Sequence, residues 1–536
     1  MKKNGFRTNA LLLAIAFILA SCLEELEKTD KIKSTTLQPV VEFPLVNSNF
    51  SMEEFLIEGK SKAKISEQGG IMVLTYDDSL STPPGDTFFS LPDQQSPTLS
   101  ITGPEVSFPS PGATVTVSKN LTFAFNTSQS ESLDSILIKA GRMVFQMNST
   151  FPANIQLAVS IPSLKIRGAG FQQNFQFNGA GNQNPSTNLQ TSSLDLTVNG
   201  TTTNTITFSI TATITDTGQP INSTHRLDFS FRLEDQFFRG LFGDLGTHAF
   251  QFKADSLNVD IFNNADNAFN GNVELLSPSF NLTMGNSFGI PIRFDIQNIS
   301  GVRNNAAISL NGPAVNSPLN PYLLNAPSRT QVGQAVASEV SITSLNSNLG
   351  QLISSLPKYL FYQFDFTLNP PPPAASRNFV LDDSRLTIGV HLELPFHGRV
   401  SGLSLSRQFD FDGLGIDNVE ESFIIVKTVN ESPLEASVQL YFVDSDGTVL
   451  DSLFTTRSIL KGAPVDANGF TQGETAVTTE VTVTQSKVDR IEQAEFLVIN
   501  AVMATTNNGA VPVKFSAIDK LKVTVGVKTQ LEYELK

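Results

Sequence analysis

"TITFSITATIT", residues 205–215, alternates without a break: Ile206, Phe208, Ile210, Ala212 and Ile214 share one parity, and Thr and Ser fill the other. Successive side chains on a strand leave opposite faces, so the segment predicts a strand with one dry and one wet side, as in an antiparallel sheet covering a core. From about residue 70 to 330, similar runs are separated by turn-rich stretches such as "FNGAGNQNPS" (177–186) and "TDTGQPINS" (215–223). The predicted fold class is mainly β: antiparallel sheets, sandwich-like or strongly curved, two or three short helices, and two or more β domains.

Two helices are signalled. "FSMEEFLIEG" (50–59) offers Ser51 as N-cap with Glu54 three residues on, Phe50 and Phe55 as a hydrophobic staple, and Gly59 as a stop. "SLNSNLGQLISSLP" (344–357) places Leu345, Leu349, Leu352, Ile353 and Leu356 on one helical face before Pro357. The prolines at 370–373 favour an extended conformation and cannot pair in a central strand, which puts a domain boundary near them. The expected layout is a leader at 1–21, an acidic, polar tether at 22–42, an N-terminal β-rich region at 43–330, a helix, strand and Pro-rich connection at 331–373, and a C-terminal β-rich domain at 374–536. A repeated hairpin is expected at 134–161, 255–280, 383–406 and 419–447, where one alternating run turns and returns as another.

The chain opens with "MKKNGFRTNALLLAIAFILASC": basic Lys2, Lys3 and Arg7, an apolar run from Ala10 to Ala20, then small residues before a cysteine. Eleven apolar residues are too few to span a bilayer, which takes roughly 20. Leu19-Ala20-Ser21-Cys22 resembles the lipobox of bacterial lipoproteins, which implies cleavage before Cys22, a diacylglycerol on its sulfur and attachment to the outer membrane. Cys22 is the single cysteine of the 536 residues, so no disulfide within the chain is possible. Two or more lipid chains make membrane attachment stable rather than transient. Glu24, Glu25 and Glu27 behind Cys22 resemble the signal by which some Gram-negative bacteria send lipoproteins to the cell surface, while a solvated tether reads equally well, so surface-exposed and periplasm-facing anchors both stay open. The formal charge of −15 opposes nucleic acid as a partner.

Catalytic motifs fail on context. "GNSFG" (285–289) spells a nucleophile elbow around Ser287, but a helix must follow the serine, and "IPIRFDIQ" reads as a strand. In "HLELPFH", His391, Glu393 and His397 fall short of a zinc set because Pro395 breaks their register. Asp410, Asp412 and Asp417, and separately Asp444 and Asp446, supply too few oxygens for calcium, and Asp-Gly is first of all a hairpin turn. No metal, no cofactor and no catalytic residue is therefore expected. Asp-Ser followed by an aliphatic residue, at Ser79, Ser135, Ser256 and Ser452, is similar to an acceptor motif for O-linked glycosylation in some Gram-negative bacteria.

Phe-x-Phe pairs recur at 123/125, 175/177, 229/231, 250/252, 364/366 and 409/411, in a chain with 41 Phe, 6 Tyr and no Trp. Phe lacks the polar handle that suits Tyr and Trp to wet interfaces, so the pairs fill a core or line an apolar cavity. The absence of Trp, the side chain most useful for stacking on sugars, weighs against a glycan-binding or glycanase reading without excluding it. Phe364, Phe366, Phe409 and Phe411 are the candidate lining for an apolar ligand. A helix followed by long strands over 330–536 resembles tubular lipid-binding domains, which implies a lipid carrier. The expected function is a non-catalytic, lipid-anchored subunit that binds or scaffolds an envelope protein partner at the outer membrane. The alternative is a carrier with a Phe-lined groove, and the third reading is a secreted hydrolase.

Overall fold

The computed structural model describes residues 35–37, 40–51, 63–129, 131–251, 255–259, 271–303, 306–371, 377–411, 422–454, 458–530 and 533–535. Thr205–Thr215 forms a strand across its whole length, and Ile206, Phe208, Ile210, Ala212 and Ile214 are all fully buried. It sits between strands Asn154–Ile166 and Thr114–Ala124, antiparallel to both. Its wet face carries hydroxyl pairs across to the neighbouring strand, such as Thr207 with Thr122 at 3.0 Å and Thr211 with Ser118 at 2.9 Å. The protein is mainly β and sandwich-like, with antiparallel sheets and three α-helices among the described residues.

The chain divides into two compact units, the larger drawn from residues 59–266 and 273–398, the smaller from residues up to 58, 267–272 and 399–536. The larger unit is built on a twelve-stranded sheet running Asn378–Leu381, Arg226–Asp244, Ser132–Ser149, Ser192–Asp195, Asn154–Ile166, Thr205–Thr215, Thr114–Ala124, with shorter strands attached. Its dry face is a lattice of phenylalanines. The Phe208 ring lies 5.7 Å from Phe229 and 5.2 Å from Phe231, and Phe145 lies 6.0 Å from Phe229. Edge-on and offset ring pairs of this kind add to the burial of the rings themselves.

A five-stranded sheet contains Ile71–Ser81, Ser279–Asn286 and Leu386–Pro395, and a six-stranded sheet contains Ile292–Arg303 and Tyr359–Leu368. Tyr362 of the second donates its hydroxyl to Asp78 of the first at 2.8 Å. Gly289 pairs with Phe379 at a point where only hydrogen fits: a Cβ there would stand 2.2 Å from Phe379 Cδ1, and that ring is fully buried. Gly289→Ala is expected to destabilise the larger unit by about 1–3 kcal/mol through overpacking, read as lowered hydrogen-exchange protection of Asn378–Leu381 and its partner strand; unchanged protection would refute this packing.

The smaller unit pairs a four-stranded sheet, Val40–Ser51, Lys520–Gln530, Ser422–Asn430, Thr475–Val483, with a five-stranded sheet that includes Leu403–Asp410, Phe496–Thr505 and Leu434–Val443. Helix Gln485–Ile491 buries Val488 and Ile491 in a cluster with Ile424, Phe442, Leu453 and Phe454.

Several expectations are corrected. Strand structure is present inside the expected tether of 22–42, because Thr35–Leu37 and Val40–Ser51 pair with strands at the far end of the sequence. The boundary expected near the prolines falls at 398/399 instead: Asn378–Leu381 pairs with Arg226–Asp244, and Leu386–Pro395 is an inner strand of the five-stranded sheet. The stretch 330–536 is therefore divided between the two units.

The repeated hairpins are not hairpins. Ser192–Asp195 lies between Ser132–Ser149 and Asn154–Ile166, and Ser422–Asn430 and Leu434–Val443 join different sheets, since strands linked by a tight turn can stack as well as pair. The second helix spans Leu349–Ser354 and buries Leu349, Leu352 and Ile353, with Leu356 buried just beyond it, whereas Leu345 precedes it and is 99% exposed. The first expected helix, apart from Phe50 and Ser51 at the end of a strand, lies outside the described residues, as do the leader and Cys22.

Candidate functional site

The wet face of the twelve-stranded sheet holds an open groove of about 540 Å³. Its floor is set by strand register. Ser100 of Leu99–Thr102 stands opposite Asp228 of Arg226–Asp244, Asp228 opposite Asn148 of Ser132–Ser149, and Asn148 opposite Asn182 of Gly181–Gln183. Ser230 and Gln146 make the next row, and Thr98, Asn184 and Arg226 complete the polar lining. Alternation explains why Ser100, Asp228, Asn148 and Asn182 face the groove while Leu227 and Phe229, neighbours of Asp228 in sequence, point into the core; Ser230 is buried beneath.

The charge in the groove is neutralised internally. Asp228 Oδ1 accepts from the Ser100 hydroxyl at 2.6 Å, and Oδ2 lies 2.8 Å from Arg226 Nε. Ser230 donates to Gln146 Oε1 at 3.3 Å. The side-chain amides of Asn148, Asn182 and Asn184 have no hydrogen-bond partner among the described residues. One wall is pinned by Lys119, which donates to the Ser100 carbonyl at 2.6 Å and pairs with Glu105 at 2.8 Å. Lys119 and the backbone N–H of Thr102 hold the Glu105 carboxyl down to about 2.

The residues singled out by motif lie elsewhere. Ser287 donates its hydroxyl to the Arg385 carbonyl at 2.9 Å and accepts the Arg385 N–H at 2.7 Å, so it ties two chain segments together. His391 Nδ1 sits 2.7 Å from Asp77, whose other oxygen pairs with Lys64 at 2.8 Å. Asp444 accepts the N–H groups of Asp446 and Thr448 and forms a turn. Asp412 and Asp417 lie outside the described residues. Among the described residues, no group of three His, Cys, Asp or Glu is placed to hold a metal ion. The Asp-Ser serines all lie on strands, Ser79 exposed and Ser135, Ser256 and Ser452 half-buried.

Phe364 and Phe366 are buried in the larger unit, their rings 5.1 and 5.2 Å from Phe294. In the smaller unit Phe409 is 46% exposed, and Phe411 packs on Phe442 at 5.2 Å. Phe364 and Phe366 thus belong to one unit, and Phe409 and Phe411 to the other. The groove itself escaped sequence reading because its row joins positions 100, 148, 182 and 228; the Asn-rich stretch 177–186, read there only as a turn, was its one local trace.

No family model matches the chain, and no curated protein matches it. Among solved structures, it is similar to a protein of Parabacteroides distasonis thought to be secreted, at 15% identity and TM-score 0.31, over 52% of this chain and 82% of that one. A second likeness is to a mutant VP2 protein of infectious bursal disease virus, at 13% identity and TM-score 0.14, over 75% of each chain. Neither score is high enough to carry an argument. Among the described residues, no helix is long and apolar enough to cross a membrane, which says nothing about spanning strands.

Proposed function

We propose that this chain is a non-catalytic binding or scaffolding subunit of the cell envelope, attached to the outer membrane through a lipidated Cys22, and that the groove on its larger unit is the binding site. The observation that carries the reading is the set of partnerless amides of Asn148, Asn182 and Asn184 in one groove. Amide groups that face a groove without internal partners are free to exchange water for a ligand, and the paired Asp228 and Arg226 favour an uncharged one.

The anchor makes a direct prediction. Labelled palmitate should enter the wild-type protein and hold it in the membrane fraction, while Cys22→Ala should be unlabelled and released; a membrane-bound, unlabelled Cys22→Ala would refute the anchor. For the groove, the chain from residue 22 onward, carrying Cys22→Ser, should co-sediment with isolated envelopes. Hydrolysis abolished by Ser287→Ala, or stoichiometric lipid in protein purified without detergent, would overturn the reading in favour of a hydrolase or a carrier.

A further inference from the structure

Building on that reading of the groove, we infer that its ligand is a neutral, extended glycan lying across the strands. The argument rests on spacing. Ser100, Asp228, Asn148 and Asn182 belong to four neighbouring strands in direct register, so they form a straight row perpendicular to the strand direction. Adjacent strands lie about 4.7–4.9 Å apart, so the row repeats at that interval. The interval approximates one pyranose ring with its linkage oxygen, and a linear glycan along the row meets one polar side chain per sugar.

An extended peptide does not fit the same row. It advances about 3.3 Å per residue and presents like faces about every 6.6 Å, out of step with the strands. Among the described residues no aromatic ring lines the groove to stack on a sugar, so recognition rests on hydrogen bonds, and the chemistry of the row agrees with its spacing. A side-chain amide offers both donor and acceptor, which matches vicinal hydroxyls, each also both donor and acceptor. Asp228 is already engaged by Ser100 and Arg226, so the row presents no uncompensated carboxylate to an uncharged sugar. Gln146, exposed beside the row and accepting from the buried Ser230, offers the bound chain one further amide.

The test is titration calorimetry of the chain from residue 22 onward, carrying Cys22→Ser, with linear neutral oligosaccharides of increasing length. Affinity should rise with length and level off once the sugar covers the four strands. Asn148→Ala with Asn182→Ala should weaken binding about tenfold, with the circular dichroism unchanged. Asn182 is exposed, so Asn182→Ala alone, expected to weaken binding several-fold, serves if the double variant does not fold. Absence of binding to every oligosaccharide, or binding indifferent to these substitutions, overturns the inference.

Envelope co-sedimentation separates the two levels. If periodate oxidation of the envelopes leaves binding intact while the double substitution abolishes it, the ligand is not a glycan and the groove reading stands. If the double substitution leaves envelope binding unchanged, the groove reading itself fails.

Discussion

Phe208→Ala is expected to destabilise the larger unit by about 3–5 kcal/mol, the range for truncating a fully buried aromatic ring. Phe208 sits at the middle of Thr205–Thr215, is fully buried, and touches Phe123, Phe229 and Phe231 with ring centroids 6.2, 5.7 and 5.2 Å away. Those neighbours belong to two strands, Thr114–Ala124 and Arg226–Asp244, whose backbones are held by ladder hydrogen bonds, so they cannot close over the space the ring leaves. The loss then includes a cavity term as well as the lost burial. Phe409→Ala is the matched control: its side chain is 46% exposed, and its removal should stay within about 0.5 kcal/mol. The chain has two units, so the measurement is hydrogen exchange resolved by strand, with protection falling across Ser132–Ser149, Thr205–Thr215 and Arg226–Asp244 together. Equal effects from the two substitutions would contradict the assignment of Phe208 to the core.

Asp134→Asn should cost about 2–3 kcal/mol at neutral pH. The Asp134 side chain is 13% exposed and accepts from Arg377 through both oxygens and from Arg329 Nη2 at 2.9 Å. Arg329 also donates from Nε to the Arg377 carbonyl at 3.0 Å, so one carboxylate ties together three segments distant in sequence. The amide keeps the shape and removes the charge. Both guanidinium groups are about half exposed and can rehydrate, which keeps the loss below that of a fully buried pair. Burial acts to raise the Asp134 pKa, but Arg377 and Arg329 outweigh it and hold the carboxyl below its ordinary value.

A carboxyl lowered in the folded state contributes fully above its unfolded pKa, near 3.9, and loses that contribution as pH falls through the folded value. The stability gap between wild type and Asp134→Asn should therefore be constant from pH 7 to pH 5 and narrow below about pH 4. A gap that narrows near pH 6 would assign the effect to another group. Asp77, Asp451 and Glu105, also lowered by cationic or hydrogen-bonding neighbours, add to the same acid limb.

The strands were legible wherever one face is wet and the other dry, because burial then writes a period of two into the sequence; Thr205–Thr215 is the clearest instance. Pairing was not legible. Ser132–Ser149 and Asn154–Ile166 read as a hairpin, yet Ser192–Asp195 lies between them, and alternation is the same whether two strands pair or another intervenes. Leu345 fitted a helical face by spacing alone, but the segment before Leu349 turns through hydrogen bonds such as Asn346 Nδ2 to the Ser341 carbonyl. The groove depends on four registers at once, so no window of sequence contains it. The Phe pairs were recognised as apolar, and only the structure separates Phe364 and Phe366, deep in a core, from the exposed ring of Phe409.

Val40–Ser51 finds its partner in Lys520–Gln530, and Thr35–Leu37 finds its own in Tyr533–Leu535. The larger unit is thus spliced into the smaller one between its first strands and its later ones. On any route that delivers the amino terminus first, the earliest strands to emerge must wait for the last ones before their sheet can close, while the spliced unit has all its strands much sooner. The expected order of assembly is interior segment first, chain ends last, with an unpaired edge exposed throughout the interval. That interval is when the protein is most exposed to aggregation and proteolysis, and truncation near the carboxyl terminus should strand the amino-terminal strands permanently.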